Sequence, residues 1–215
     1  MNLQIDTENS SQVSKYLLEV AAVQLNIENP FTWASGWKSP IYCDNRLTLS
    51  FPHVRSFITK CLTEGVKKYY PDTEVIAGVA TAGIPQGALV AAALDLPFVY
   101  VRSKAKSHGM TNLIEGKIEP GQKCVVIEDL VSTGGSSLKA VSDLINAGGN
   151  VIGMAAIFTY GFEKAKENFQ KANIDLFCLS TYSAMIETAI EIGYIPANAT
   201  ETLQKWREAP ERWGY

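Results

Sequence analysis

The densest chemistry in the chain lies in the run Cys124-Val-Val-Ile-Glu-Asp-Leu-Val-Ser-Thr-Gly-Gly-Ser-Ser137. Two adjacent carboxylates, Glu128 and Asp129, end an apolar stretch, and a turn rich in hydroxyls and glycine follows at once. Gly134 and Gly135 let backbone N–H groups approach an anion closely, and Ser132, Thr133, Ser136 and Ser137 add hydroxyl donors. A helix opening near Ser136 contributes unpaired amides and the positive end of its dipole, which together seat a phosphate. The two acids would repel that phosphate unless they face hydroxyls, a cation or a positively charged transition state. Each feature alone is explained by a strand cap or an N-capped turn. The whole run in this order is not.

Arg102, Lys104, Lys106 and His108 form a second concentration, with no acid between Asp95 and Glu115. Like charges this close repel, so the segment is expected to stay mobile until an anion neutralises it. Taken by itself, it fits a solvated basic loop equally well. Gly78-Val-Ala-Thr-Ala-Gly-Ile-Pro85 offers further backbone amides, and Gly78 and Gly83 have the spacing of a P-loop. Ile84 and Pro85 stand where that motif requires Lys and Ser or Thr, which excludes it, and GxGxxG occurs nowhere. His53 has no metal-ligating partner at i+4 and reads as structural. The scattered Cys43, Cys61, Cys124 and Cys178 read as reduced core thiols. Tyr16, Phe57 and Trp206 read as core or dimer contacts rather than a base-stacking platform.

These residues need elements to position them. Short apolar runs at 75–80, 98–101, 124–127, 151–157 and 176–179 suit strands buried on both faces. Helical composition fills 87–94, 136–147 and 163–171, with Gly148-Gly149 where the second should stop. The alternation predicts an α/β fold with a mostly parallel sheet flanked by helices on both faces. In an open sheet of that kind, ligands sit beyond the carboxyl ends of the strands, where the 132–136 turn should lie. Helical spacing also marks Val13, Tyr16, Leu17 and Val20, then Val54, Phe57, Ile58, Cys61 and Leu62, and later Met185, Ile186, Ala189, Ile190, Leu203 and Trp206. Between the first two, 31–46 shows no sustained period and reads as a long, shaped loop.

The length of 215 residues suits one domain with elaborations, and 47% hydrophobic content supports a core without disulfide or metal staples. A net charge of −3 argues against a nucleic-acid partner. Residues 75–94 carry no charge, but their glycines and Pro85 break the stretch, so no membrane span is expected. The N-terminal residues lack a basic region followed by an apolar one, so a cytoplasmic location is expected.

The run from Val125 to Ser136 resembles the phosphoribosyl-diphosphate (PRPP) signature of type I phosphoribosyltransferases. Phe31-Thr-Trp-Ala-Ser-Gly-Trp-Lys-Ser-Pro40 and Tyr100-Val-Arg-Ser-Lys-Ala-Lys-Ser-His-Gly109 resemble the orotate phosphoribosyltransferase family in particular. The resemblance implies that family's fold in a single domain, 1–215, with a core of about 74–180 and a small hood from about 1–73 and 181–215. It implies transfer of phosphoribose from PRPP to orotate, with Mg²⁺ bound mainly through PRPP. By position, Arg102, Lys106 and His108 would bind diphosphate, partly across a homodimer, and Lys106, Glu128 and Asp129 would be catalytic. Glu128, Asp129, Leu130, Val131, Ser132, Thr133, Gly134, Gly135 and Ser136 would hold PRPP. Ser132 would read orotate, with Lys38 a lesser candidate that fits a surface lysine as well. Ala34 and Ala82 stand where several relatives carry lysine, Tyr160 stands near the position at which they carry an arginine that contacts the base, and Ser103 replaces a lysine. Competing readings are a purine phosphoribosyltransferase and a PRPP-binding regulator without catalysis.

Overall fold

The computed structural model describes residues 3–33, 35–103 and 113–213. In chain order the elements are β1 (Leu3–Ile5), α1 (Ser10–Glu19), β2 (Val23–Leu25), β3 (Phe31–Thr32), β4 (Lys38–Ser39), β5 (Ile41–Cys43), a 3₁₀ turn (Asn45–Ser50) and α2 (Pro52–Tyr69). There follow β6 (Val75–Val79), α3 (Gly83–Leu94), β7 (Phe98–Val101), β8 (Ile114–Glu115), β9 (Lys123–Val131), α4 (Gly135–Asn146) and β10 (Asn150–Thr159). The chain closes with α5 (Glu163–Ala172), β11 (Leu176–Thr181), α6 (Tyr182–Glu191), a 3₁₀ turn (Ala197–Ala199) and α7 (Thr200–Glu208).

Seven strands form the central sheet in the order β1-β11-β10-β9-β6-β7-β8, parallel throughout except for the short edge strand β8. Strand residues alternate between two cores, as the two-residue period of a strand requires. Ile76, Val125 and Ile127 face a core shared with α1, α2, α3 and α6, whereas Ala77, Cys124 and Val126 face one shared with α4 and α5. From β6 the chain steps to β7 on one side and then crosses to β9 on the other, which makes the β6/β9 boundary the topological switch point. Crevices beyond the strand ends open at such points.

The structure differs from the sequence expectation in several places. The 31–46 stretch is not one loop, because β3 pairs with β4 and β5 pairs with β2 in two small antiparallel sheets. Strands of two or three residues are too short to display a period. Among residues 1–73, β1 joins the edge of the main sheet, and α1 and α2 line its core, while the small sheets meet α7. Trp206 is fully buried there and donates Nε1–H to the Lys38 carbonyl at 3.2 Å. The uncharged stretch 75–94 divides into β6 and α3, and no described helix is long and apolar enough to cross a membrane.

Candidate active site

β9 does not end at the acid pair. It pairs with β10 as far as Val131, opposite Thr159, so Glu128 and Asp129 are held in sheet geometry rather than in a turn. Glu128 is only 7% exposed, and its Oε2 is buried without a hydrogen-bond partner among the described residues. Burial, and then the charge of Asp129, raise the Glu128 carboxyl well above its ordinary range. Burial also raises Asp129, opposed by its own and Leu130's backbone N–H groups and by the charge of Arg46.

From the last residues of β9 into the turn, the backbone sorts its polar groups. The carbonyls of Asp129, Val131 and Thr133 turn into the protein, where they accept from Asn45 Nδ2 (2.7 Å), Thr159 Oγ1 (3.0 Å) and Asn168 Nδ2 (2.9 Å). The N–H groups of residues 132–137 have no partner among the described residues, and α4 starts without a side-chain cap. Six donors around one turn, at a helix N-terminus, form a concavity for an anion. Gly134 makes the turn possible. Its φ is +78°, and a Cβ there would lie 2.6 Å from Phe169 Cε2. Across the switch point, a Cβ on Gly83 would lie 2.4 Å from the Ile127 carbonyl oxygen, so only glycine lets the loop after β6 press against β9.

Beside the turn is a cavity of about 270 Å³ lined by Thr32, Trp33, Tyr42, Cys43, Leu130, Ser132 and Tyr160. Aromatic contacts fix its walls. Tyr160 is buried, stacks on Phe162 at 5.3 Å and meets Trp33 at 5.2 Å, while Trp33 donates Nε1–H to the Ile41 carbonyl at 3.0 Å. Burial raises the Tyr160 hydroxyl well above its ordinary range, so it enters the pocket as a neutral group. Cys43 corrects the expectation of four core thiols: it is half-buried on the cavity wall, whereas Cys61, Cys124 and Cys178 are buried.

The cavity walls, the turn of unpartnered amides and the acid pair are therefore contiguous at one end of β9. A phosphoribosyl transferase domain matches residues 47–193. An orotate phosphoribosyltransferase of Listeria monocytogenes is 57% identical over 203 residues, covering 94% of this chain and 97% of the relative. One from Porphyromonas gingivalis is 54% identical over 202 residues, covering 94% and 96%. The chain belongs to the orotate phosphoribosyltransferase family. The crystal structure of an orotate phosphoribosyltransferase from Aeropyrum pernix is similar with a TM-score of 0.74 at 28% identity, covering 85% of this chain and 99% of that one.

Against the family pattern, Ala82 sits at the N-cap of α3, and Tyr160 is locked in aromatic packing. Leu130, Ser132 and Tyr160 share the cavity, while Val131, Thr133, Gly134, Gly135 and Ser136 continue from the end of β9 through the turn into α4. Arg102 follows β7 and pairs with Glu115 at 3.4 Å. Ala34, Lys104, Lys106 and His108 lie outside the described residues. Sequence reasoning missed Asn45 and Asn168, whose amides hold the backbone of the site from distant elements, and no local pattern announces either.

Proposed function

We propose that the chain transfers the 5-phosphoribosyl group of PRPP to orotate, giving orotidine 5′-phosphate and diphosphate in the synthesis of UMP. The observation that carries this reading is the set of unshared amides at 132–137, which follows the buried Glu128 and half-buried Asp129 on β9 and begins at Ser132 on the wall of a cavity of about 270 Å³. The turn takes the 5′-phosphate. Glu128 and Asp129 accept hydrogen bonds from the ribose hydroxyls and offset the oxocarbenium charge that develops as diphosphate leaves. Glu128 Oε2 is suited to this, because it is a desolvated acceptor with no other donor among the described residues. Ser132 faces the acceptor ring from the cavity wall.

Arg102, Lys106 and His108 bind the diphosphate, and the basic segment that carries them is shared between the subunits of a homodimer. Among the described residues, no three His, Cys, Asp or Glu side chains gather around a point. One or two carboxylates with substrate phosphates are a usual Mg²⁺ site, and the Glu128–Asp129 pair beside an anion seat fits an ion that arrives on PRPP. When bound, Mg²⁺ neutralises charge on the leaving diphosphate. We read the chain as one cytoplasmic domain, 1–215, whose core of about 74–180 is completed by β1, α1, α2 and α6, with the hood reduced to the small sheets and α7.

The test is diphosphate release from PRPP with orotate, adenine or xanthine as acceptor, with and without Mg²⁺. Orotate-dependent release that needs Mg²⁺ is expected. Turnover with a purine and none with orotate would replace the acceptor. Salt-sensitive binding to nucleic acid without diphosphate release would make the chain a regulator.

A further inference from the structure

The acceptor in that reading is an anion, yet the seven side chains lining the cavity include no cation. A carboxylate moved out of water without a charged or hydrogen-bonding partner binds poorly. Arg46 follows the pocket-wall residues Tyr42 and Cys43 by four and three positions. Asn45, between them and Arg46, is buried at 2% exposure and donates Nδ2 to the Asp129 carbonyl at 2.7 Å, while its Oδ1 accepts from Cys43 Sγ at 3.4 Å. This tie holds the start of the 3₁₀ turn, and with it the backbone of Arg46, against the end of β9 where cavity and acid pair meet.

The guanidinium is itself pre-oriented. Nε and Nη2 donate to the two oxygens of Asp44 at 2.6 and 2.8 Å, and Nη1 keeps its two N–H groups without a partner among the described residues. Its charge lowers the Asp129 carboxyl, which lies on β9 next to the cavity-wall residue Leu130. Asp44 is the more enclosed partner, and the Arg46 side chain is 60% exposed. The pair is thus open on the arginine's side. Lys38, the other described cation beside the cavity, donates Nζ to Thr32 Oγ1 at 2.8 Å.

We propose that Arg46, oriented by Asp44 and placed by Asn45, is the specificity-determining cation that receives the carboxylate of the acceptor base. The assignment rests on the orotate reading above and adds the group that separates orotate from the same ring without its acid. The fork of an arginine suits a planar carboxylate better than a lysine does.

Steady-state kinetics of the full-length enzyme with orotate and with uracil test the assignment, because uracil has the ring and lacks the carboxylate. Arg46→Ala is expected to raise the orotate KM by about 10- to 100-fold, the range of a charged hydrogen-bonded contact. The orotate-over-uracil preference in kcat/KM is expected to fall by a similar factor. The PRPP KM should stay within about twofold, because the anion seat at 132–137 is intact. Arg46→Lys should recover only part of the preference, and Lys38→Ala should leave it intact. An unchanged orotate KM and an unchanged preference in Arg46→Ala, in a wild type that turns orotate over, would overturn the proposal. Loss of preference in Lys38→Ala instead would move the role to Lys38. A general fall in activity toward both acceptors would mark Arg46 as structural. A wild type that releases no diphosphate with orotate would refute the parent reading, an outcome visible before any variant is made.

Discussion

Glu128 offers the sharpest quantitative test, because the same side chain should cost stability and supply function. Its carboxyl is buried, its Oε2 has no donor among the described residues, and its near neighbour is a second carboxylate. Leaving a buried charged acceptor unsatisfied costs on the order of 1–3 kcal/mol or more. Glu128→Gln removes the charge at nearly constant volume. The variant without substrate should therefore be more stable than wild type at pH 7–8 by about 1–3 kcal/mol, at roughly 2–4 °C in Tm per kcal/mol for a chain of this size.

The sign with pH follows from the direction of the shift. A carboxyl raised in the folded state contributes its full stability below its ordinary value of 4.5, where folded and unfolded chains both hold the proton. That stability is lost as pH rises through the folded-state value, because the unfolded chain has already released its proton. Melting temperatures of wild type and Glu128→Gln should thus diverge on going from below pH 4.5 to pH 8, with the variant on top. Turnover should fall by about 10² or more, since the lost charge acts on the developing cation. If the ribose hydroxyls of PRPP donate to Glu128 as proposed above, PRPP should narrow the Tm gap by stabilising wild type more than the variant. A variant no more stable than wild type at pH 8, or a gap that does not change with pH, would refute the reasoning.

Asp129→Asn should lower kcat by about 10² with a smaller change in Tm, because this carboxyl is only half-buried and accepts from its own and Leu130's amides; intact turnover would make it structural. Asn168→Ala removes the donor to the Thr133 carbonyl, and the loosened turn should raise the PRPP KM by roughly 5- to 10-fold, about one hydrogen bond's worth, with the orotate KM little changed. Lys106→Ala should depress kcat by about 10² while leaving equilibrium binding of orotate near wild type by calorimetry, if its charge acts on the leaving group; an unchanged kcat would remove the basic segment from the chemistry.

The central sheet was legible because strands buried on both faces must be apolar throughout and are punctuated by glycine. The runs at 98–101 and 176–179 sit within β7 and β11, and the 163–171 helix differs from α5 by one residue. β9 was underestimated, since Glu128 and Asp129 read as the end of an apolar run although the ladder to β10 carries the strand on to Val131. The region from Val23 to Ser50 was hardest to read, because its order comes from tertiary ties. Trp206 reaches the Lys38 carbonyl across 168 positions, and Asn45 reaches Asp129 across 84. The turn after β9 announced itself through glycine and hydroxyl chemistry packed into a few residues. The cavity beside it did not, because Thr32, Trp33, Tyr42, Leu130 and Tyr160 converge only once the small sheets fold back on β9 and β10.

The glycines of the turn explain how its amides come to face one way, but they do not explain why the carbonyls face the other. A flexible turn would sample both orientations and satisfy its own groups with water. Here three side chains from three elements fix the choice: Asn45 from the 3₁₀ turn, Thr159 from β10 and Asn168 from α5 each accept the cost of ordering to hold one carbonyl. Thr159 Oγ1 also accepts from the N–H of Gly161 at 3.1 Å, so its hydroxyl both donates and accepts and its orientation is set. With every second carbonyl from 129 to 133 turned inward, the N–H groups that follow can only converge outward. Anion binding then requires little reorganisation of the backbone, which is the condition under which oriented dipoles contribute most. Asn45 and Asn168 consequently belong to the binding site in an energetic sense although neither has to touch the substrate. Their removal should be felt separately, the first at the acceptor and the second at the phosphate, because Asn45 ties the segment that follows the cavity-wall residue Cys43 to Asp129, whereas Asn168 holds Thr133 within the turn.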